Sequence, residues 1–485
     1  MRRLGVGLIY LREVDPLYRE GNPDLAVLEL EPETFWEKLY PDSSSRTPWF
    51  QPNSAAMAQI AALPQTKLVH SVGFPLGGTE PYEADYVTPL IAAVRDLDAV
   101  WASAHLSFNQ ISTADGPQQV GFLLPPRQTR HGVELAVANI ARLAGGLNVP
   151  LAFETGVNYL RPRPEELSDG EFLGLVAEAA DCGILLDLHN LWANERNGRQ
   201  SVKDVLDELP LERVWEIHLA GGMMLDGYYL DSHSGPIPDE VLGLAADVVP
   251  HMPNLGAMNF EVMPAYVQDM GLDGVREQIG RIAEVWRLPR VTRIVAPRAT
   301  PEAHLGVAAD EGDVLAWEQT LGVLAVGHRQ AEAKARTATL DDLRDDPAIP
   351  LFRRLIGEGR SGQISRALHY TTVAMLACWG PERVHALLDD YSAEVYPDAF
   401  AAGEADRFAR YVLGRLDRLP SVPYLAEILA FEHALARASL YGEPAVVRWS
   451  VDPAELFASL DRGVMPTAME AHVFEMQISP ESSVG

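Results

Sequence analysis

Cysteine is nearly absent from this chain of 485 residues: there are two, Cys182 and Cys378, far apart and in no C-x-x-C pair. That excludes a disulfide framework and a cysteine zinc site. Cys182, inside the apolar run CGILLDL, reads as a small buried hydrophobe. Long apolar runs are missing too, and no segment approaches the roughly 18 uninterrupted apolar residues of a membrane span. At the start, MRRLGVGLIYLRE, the apolar run after two arginines is short, is broken by Arg12 and Glu13, and leads to no small-residue cleavage site. The expected location is therefore cytoplasmic. Positive charge is scarce, with 39 Lys and Arg against 68 Asp and Glu and a formal net charge of −29. A phosphate-backbone partner needs a basic footprint, so nucleic acid is argued against. The acidic balance suits a neutral or cationic partner, a basic peptide segment included, although solubility explains it more simply. There is no internal repeat, low-complexity tract or heptad series.

What is present is an alternation. At 47% hydrophobic and 22% charged residues the chain is globular, and its length points to more than one domain. Up to about residue 290, short β-rich runs alternate with helix-period stretches. The runs are Gly5 to Tyr10, Leu25 to Leu30, Lys67 to Gly73, Val100 to Leu106, Leu151 to Thr155, Cys182 to Leu188, Val214 to Ala220 and Ala257 to Val262. Helices are expected at Ser54 to Leu63, Tyr82 to Leu97, Val133 to Ala144, Asp169 to Ala180, Val202 to Leu209, Asp239 to Val248 and Asp273 to Val285. Ser168 with Glu171 makes a capping box. Eight strand-helix units over this span predict an α/β fold, a (β/α)8 TIM-type barrel. The rival is an open doubly wound sheet, whose glycine-rich phosphate turn GVGLIYLRE does not reproduce.

The chemistry concentrates around VWEIHLAGGMMLDGYYLDSHSGPIPDE, which starts at Val214. A strand delivers His218 to its tip, and Asp231 and His233, at i and i+2, project to one side of an extended segment. Taken alone, His218 is as readily a satisfied core histidine, and the other two as readily loop decoration. Barrel geometry sharpens the reading, because sites in this fold lie where strands end. The strand ends carry His70, His105, Glu154, Asp187 followed by His189 and Asn190, His218, and Glu261, with Asp231 and His233 after the seventh strand. Of seven histidines before residue 290, five fall at this rim; His131 and His251 read as surface or packing residues. Four carboxylates in one mouth repel one another unless cations neutralise them. Imidazole mixed with carboxylate suits iron, manganese or zinc. So many donors exceed one coordination sphere, which implies at least two ions, with Glu154 or Asp187 as a bridge.

In order along the chain stand GVGL at Gly5, H-S-V-G-F-P-L-G-G from His70, S-A-H-L-S-F around His105, F-E-T around Glu154, L-L-D-L-H-N around Asp187, E-I-H-L-A-G around His218, D-S-H-S-G-P-I-P-D from Asp231 and F-E-V around Glu261. With this ordered set, residues 5 to about 285 resemble the DUF692 family. These are the multinuclear non-heme iron-dependent oxidative enzymes that modify ribosomally made peptides, among them enzymes of methanobactin and 3-thiaglutamate formation. The resemblance implies a TIM barrel with two or three irons (Fe2+/Fe3+), held by His70, His105, Glu154, Asp187, His218, Asp231, His233 and Glu261, which form the catalytic set. It also implies O2 as co-substrate and a precursor peptide as substrate, most often oxidised at cysteine. His189 and Asn190 join the ligand candidates. Three positions depart from the family pattern: His189 stands for an amide, and Gly222 and Gly235 stand for histidines. Asn158, Tyr159 and Asn194 are candidate pocket residues.

The expected organisation is a catalytic barrel over residues 1–290, a linker with a short helix over 291–335, and a mainly helical domain over 336–485. In VTRIVAPRATPEAHLGVAADEGDVLAWEQTL the helical part places Trp317 and Leu321 on one face. The tail has two β-like runs, AVVRWSV and HVFEMQI. His369, His385, His433 and His472 are scattered and read as non-ligands. This region is either a packing module or, through Leu340, Leu343, Glu427 and Glu432, resembles the DUF2063-type partner protein. In the latter case a separate partner is replaced by a fused domain that binds the peptide's leader. Two other classes remain open: a zinc or manganese isomerase or hydrolase on the same barrel, and a non-catalytic peptide- or metal-binding protein.

Overall fold

The run Gly5–Ile9 is buried at all five positions, as a parallel strand covered on both faces must be. It is β1 of eight parallel strands: β2 Leu25–Leu30, β3 Thr66–Ser71, β4 Ala102–His105, β5 Leu151–Glu154, β6 Gly183–Asp187, β7 Val214–Ala220 and β8 Ala257–Glu261. In the computed structural model, which describes residues 1–45, 47–80, 84–114, 116–290, 311–334, 342–466 and 468–479, they close into one barrel in sequential order. The expected TIM-type barrel is therefore the observed fold. All eight strands fall within a few residues of the runs read from the sequence.

Register decides which side chains share a level. His105 pairs with Glu154, Asp187 with His218, His218 with Asn259, and Ala220 with Glu261. The strand-end residues consequently meet at one mouth. Helix starts reinforce this: the capping box of Ser168 and Glu171 is formed at the helix Asp169–Ala179. Asp187 caps the helix Leu188–Arg196 by accepting from the Asn190 backbone N–H at 2.7 Å. That helix, directly behind β6, was not expected. The last helix runs Pro264–Trp286 and is broken at Gly271, whose φ of 65° leaves the helical region.

Three hairpins decorate the mouth end, also without a forecast: Trp36–Leu39 with Trp49–Pro52, Phe108–Ile111 with Gln118–Leu124, and Gly222–Leu225 with Tyr228–Asp231. The second is the seat of the C-terminal helices. Glu311–Val326 and Ala348–Ala367 pack on it, and Phe122 meets Phe352 with ring centroids 5.8 Å apart. Trp317 and Leu321 are both buried in this contact, with the Arg127 and Arg163 guanidinium groups each 4.9 Å from the Trp317 ring centroid. Glu318 accepts from the Thr79 backbone N–H in the loop after β3, and Arg163 pairs with Asp346 at 3.1 Å. The helices His369–Trp379, Pro381–Ser392, Ala401–Leu413, Leu425–Tyr441 and Pro453–Leu460 build a core of their own. The two β-like runs pair there as Ala445–Trp449 and Phe474–Ile478, antiparallel. Leu343 is buried, while Leu340 and residues 291–310 lie outside the described residues. Among the described residues no helix is long and apolar enough to cross a membrane.

Candidate metal centre

Eight of the ten residues singled out from the sequence gather into two linked donor groups and a third arm. In the first group, Glu154 Oε2 lies 2.7 Å from His105 Nδ1 and 3.1 Å from His70 Nε2. The second group is Glu154, Asp187, His218 and Glu261, with His218 Nδ1 3.0 Å from Glu261 Oε1 and 3.6 Å from Glu154 Oε1. Glu154 belongs to both. In the third arm, His233 Nε2 lies 3.0 Å from Asp231 Oδ1 and 3.2 Å from Glu261 Oε2. His189 Nδ1 approaches Asp231 Oδ1 at 3.3 Å. Asn190 is buried beside them, lines the cavity and donates weakly to the Thr155 carbonyl at 3.4 Å.

Asp231 and His233 come together by a route other than an extended i, i+2 pair. His233 has a left-handed backbone, φ 46°, at the exit of the hairpin that ends with Asp231. The turn, and not strand alternation, brings its ring back to the carboxylate. Of the remaining histidines, His131 pairs with Glu134 at the surface and His251 is exposed. His369, His385 and His472 are exposed, and His433 pairs with Asp406.

The donor atoms suit cations. Metal–ligand bonds of about 2.0–2.1 Å place neighbouring donors about 3 Å apart, the spacing observed between most of these atoms. Asp187 Oδ2, Asn190 Oδ1 and His189 Nε2 are buried without a hydrogen-bond partner, while Glu154 Oε2, His218 Nδ1, Asp231 Oδ1, Glu261 Oε2 and His189 Nδ1 are buried against other donors of the cluster alone. Each such orphan costs about 1–3 kcal/mol unless something satisfies it. Protons are the alternative to metal, and the electrostatics record the strain. Burial drives Asp187 well above the usual carboxylate range, and Asp231, Glu261 and Glu154 add to it. Burial works against the charged form of His70, but Glu154 outweighs it and pushes the imidazole up to about 9. Burial raises Glu154 too, yet His105 and His70 hold it well below the usual range.

The outward-facing nitrogens are fixed from behind, as ligating imidazoles require. His70 Nδ1 meets Ser103 Oγ at 2.8 Å and His218 Nε2 meets Glu29 Oε2 at 2.7 Å. Glu29 was missed by the sequence reading, as were Glu31 and Glu33. The signal was present in LELEPE, three carboxylates at period 2 running off the end of an apolar strand. Glu31 lines the mouth, and burial pushes its carboxyl up to about 7.

Above the donors opens a cavity of about 450 Å³. His105, Glu154, Asp231, His233 and Glu261 form its floor, and Phe122 and Phe172 stand in its walls. Asn158 and Asn194 line it as well, and the Asn158 backbone N–H donates to Asn194 Oδ1 at 2.8 Å. Tyr159 is instead buried below the hairpins, its hydroxyl accepting from the Asp231 backbone N–H at 3.1 Å. Among the described residues, no lysine or arginine lines it.

Residues 26–262 match the family model described as RiPP precursor modification enzyme MbnB/TglH/ChrH. Curated relatives are UPF0276 proteins. One from Streptomyces avermitilis is 30% identical over 196 residues, which is 40% of this chain and 40% of the relative. One from an Anaeromyxobacter species is 32% identical over 182 residues, 38% of this chain and 63% of the relative. The chain therefore spans less than two thirds of either of these relatives. Among solved structures, a xylose isomerase domain-containing protein from Salmonella typhimurium aligns over 59% of this chain and 98% of its own at 13% identity and TM-score 0.38.

Proposed function

The barrel region of this chain, residues 26–262, belongs to the MbnB/TglH/ChrH family of RiPP precursor modification enzymes, and from that premise we propose that the protein is a multinuclear iron, O2-using oxidase acting on cysteine in a ribosomally synthesised peptide. The observation that carries this reading is the shared carboxylate: Glu154 joins two groups of donors, the atoms within each group lying within 4.8 Å of one another. His70, His105 and Glu154 would hold one iron, and Glu154, Asp187, His218 and Glu261 a second. Asp231 and His233, with His189 and Asn190 close by, offer a third position.

Bound there, iron supplies a Lewis-acid site for a substrate thiolate and the redox capacity to use O2. The chain's own residues supply the rest. Ser103 and Glu29 hold the imidazoles with one nitrogen facing the mouth. Phe122, Phe172 and the neighbouring aliphatic walls keep a reacting side chain out of bulk water. Asn158 and Asn194 are placed to hydrogen-bond a peptide backbone entering the cavity. The helical region, residues 336–485, would bind the leader in place of a separate partner. Its two strands pair with each other and, among the described residues, with no third strand, a two-stranded ladder to which a leader could add.

Elemental analysis with Mössbauer spectroscopy on anaerobically purified protein tests the reading. Two or three irons per chain with a mixed-valence component are expected. One zinc or manganese and no iron would transfer the chain to the isomerase or hydrolase class, against which the absence of lysine among the described residues lining the cavity weighs.

A further inference from the structure

Beneath the mouth, where barrels of this kind are filled with branched aliphatic side chains, four polar side chains occupy one fully buried layer. Glu29 Oε2 accepts from His218 Nε2 at 2.7 Å and from Asn259 Nδ2 at 2.8 Å. Asn259 Nδ2 also donates to Glu216 Oε1, and Trp101 Nε1 donates to Glu216 Oε2 at 2.8 Å. Glu29, Glu216, Asn259, Trp101 and His218 are all 0% exposed. The layer comes from β2, β7, β8 and the residue before β4, so it ties the barrel across its diameter. Gly7 of β1 makes room for it: a Cβ there would come within 1.9 Å of Asn259 Oδ1.

Glu29, Glu216 and His218 are close enough to form a cation site themselves. The hydrogen bonds argue otherwise, because amide and indole N–H groups point at both carboxylates and the His218 Nε2 position is taken by Glu29. A buried polar layer is also poor stabilisation, since well-packed apolar residues of the same volume commonly do as well or better. Its value lies in what it does to the imidazole above. To donate to the Glu29 carboxylate, His218 must carry a proton on Nε2, which leaves Nδ1 as the nitrogen that faces Glu154 and Glu261. Nδ1 lies 3.0 Å from Glu261 Oε1 and 3.6 Å from Glu154 Oε1.

We propose that Glu29, held by Asn259 and backed by Glu216, is a positioning residue of the metal centre: it fixes His218 in the tautomer whose Nδ1 faces the Glu154–Asp187–Glu261 group and so governs how tightly an ion is held there. The inference rests on the metal reading given above. It assigns Glu29 to one of the two donor groups and leaves the His70–His105–Glu154 group independent of it.

Full-length protein stripped of metal and titrated anaerobically with Co2+ tests this, because the visible spectrum of Co2+ reports both stoichiometry and ligand set without any turnover. In Glu29→Gln, which keeps the volume, one binding step is expected to weaken about tenfold or more with an altered spectrum. The step assigned to His70, His105 and Glu154 should stay within about twofold. Glu29→Asp, which keeps the charge and withdraws it by one methylene, should fall between the two. A role in packing alone would instead lower the melting temperature of the metal-free variants and leave both Co2+ steps in place. Wild-type binding with Glu29→Gln unchanged in every step and in its spectrum would overturn the proposal by itself. Failure of the wild type to take up Co2+ would overturn it together with the metal reading.

Discussion

Glu154 presents Oε2 to His105 Nδ1 at 2.7 Å, while its other oxygen, Oε1, faces the opposite side of the barrel toward His218. One carboxylate thereby serves both donor groups. Glu154→Gln is expected to reduce metal content in both, beyond the roughly 10–100-fold weakening typical of a supporting residue. His105→Ala should lose a single ion. Metal analysis of the two variants side by side checks this, and equal losses would contradict the bridge.

His105 is the most exposed donor of its group, at 17%, and stands at the cavity floor. His105→Ala should abolish peptide oxidation and leave binding of the whole precursor peptide within about twofold, if recognition resides in residues 336–485. Fluorescence anisotropy with a labelled precursor separates the two effects. Parallel loss of binding would place recognition in the barrel.

Metal uptake should be strongly pH-dependent. Burial disfavours charged imidazoles, but Glu154 holds the proton on His70 up to about 9, and the neighbouring carboxylates raise His218 and His233 well above their ordinary range. The metal-free site therefore carries protons at neutral pH that an entering ion must displace. Apparent affinity should fall as pH drops below about 9, with proton release visible to an indicator dye. Affinity that is flat between pH 6 and about 9 would refute it.

The contact between the C-terminal helices and the barrel contains its own acid. Glu318 is buried on the Thr79 backbone N–H, and burial pushes its carboxyl up to about 7 despite that hydrogen bond. A folded-state value above the unfolded one means that its contribution is complete below about 4.5 and is lost as pH rises through about 7. Wild-type protein should lose on the order of 3 kcal/mol over that window from this group. Glu318→Gln should remove this part of the slope, while Glu166 and Glu432, also pushed up to about 7, retain theirs. Thermal melts of both proteins from pH 5 to 9 measure the difference.

Phe352 reaches the cavity indirectly, since it packs on Phe122, which lines the wall. Phe352→Ala should cost about 3–5 kcal/mol of stability. It should raise KM for the peptide with metal content unchanged. An unaltered KM would show that the wall stands without the helical region behind it.

The sequence alone determined the architecture and the ligand candidates of the mouth. Eight short apolar runs spaced by helices allow few folds, and in a parallel barrel every strand tip points at one place, so a tip residue is also a site candidate. What it could not determine lies across strands. Glu29 sits 189 residues from His218, and their meeting depends on the stagger of a closed barrel, which no local period encodes. The exits of the strands were equally illegible. His233 reaches Asp231 through a left-handed turn, and in the hairpin Phe108–Ile111 with Gln118–Leu124 the apolar residues Phe108, Ile111, Val120 and Leu124 stand in runs too short to read as strands until the helices Glu311–Val326 and Ala348–Ala367 cover them. Local pattern records which face of an element is apolar. Only tertiary packing decides which distant element comes to lie on it, and which nitrogen of each histidine is left facing the site.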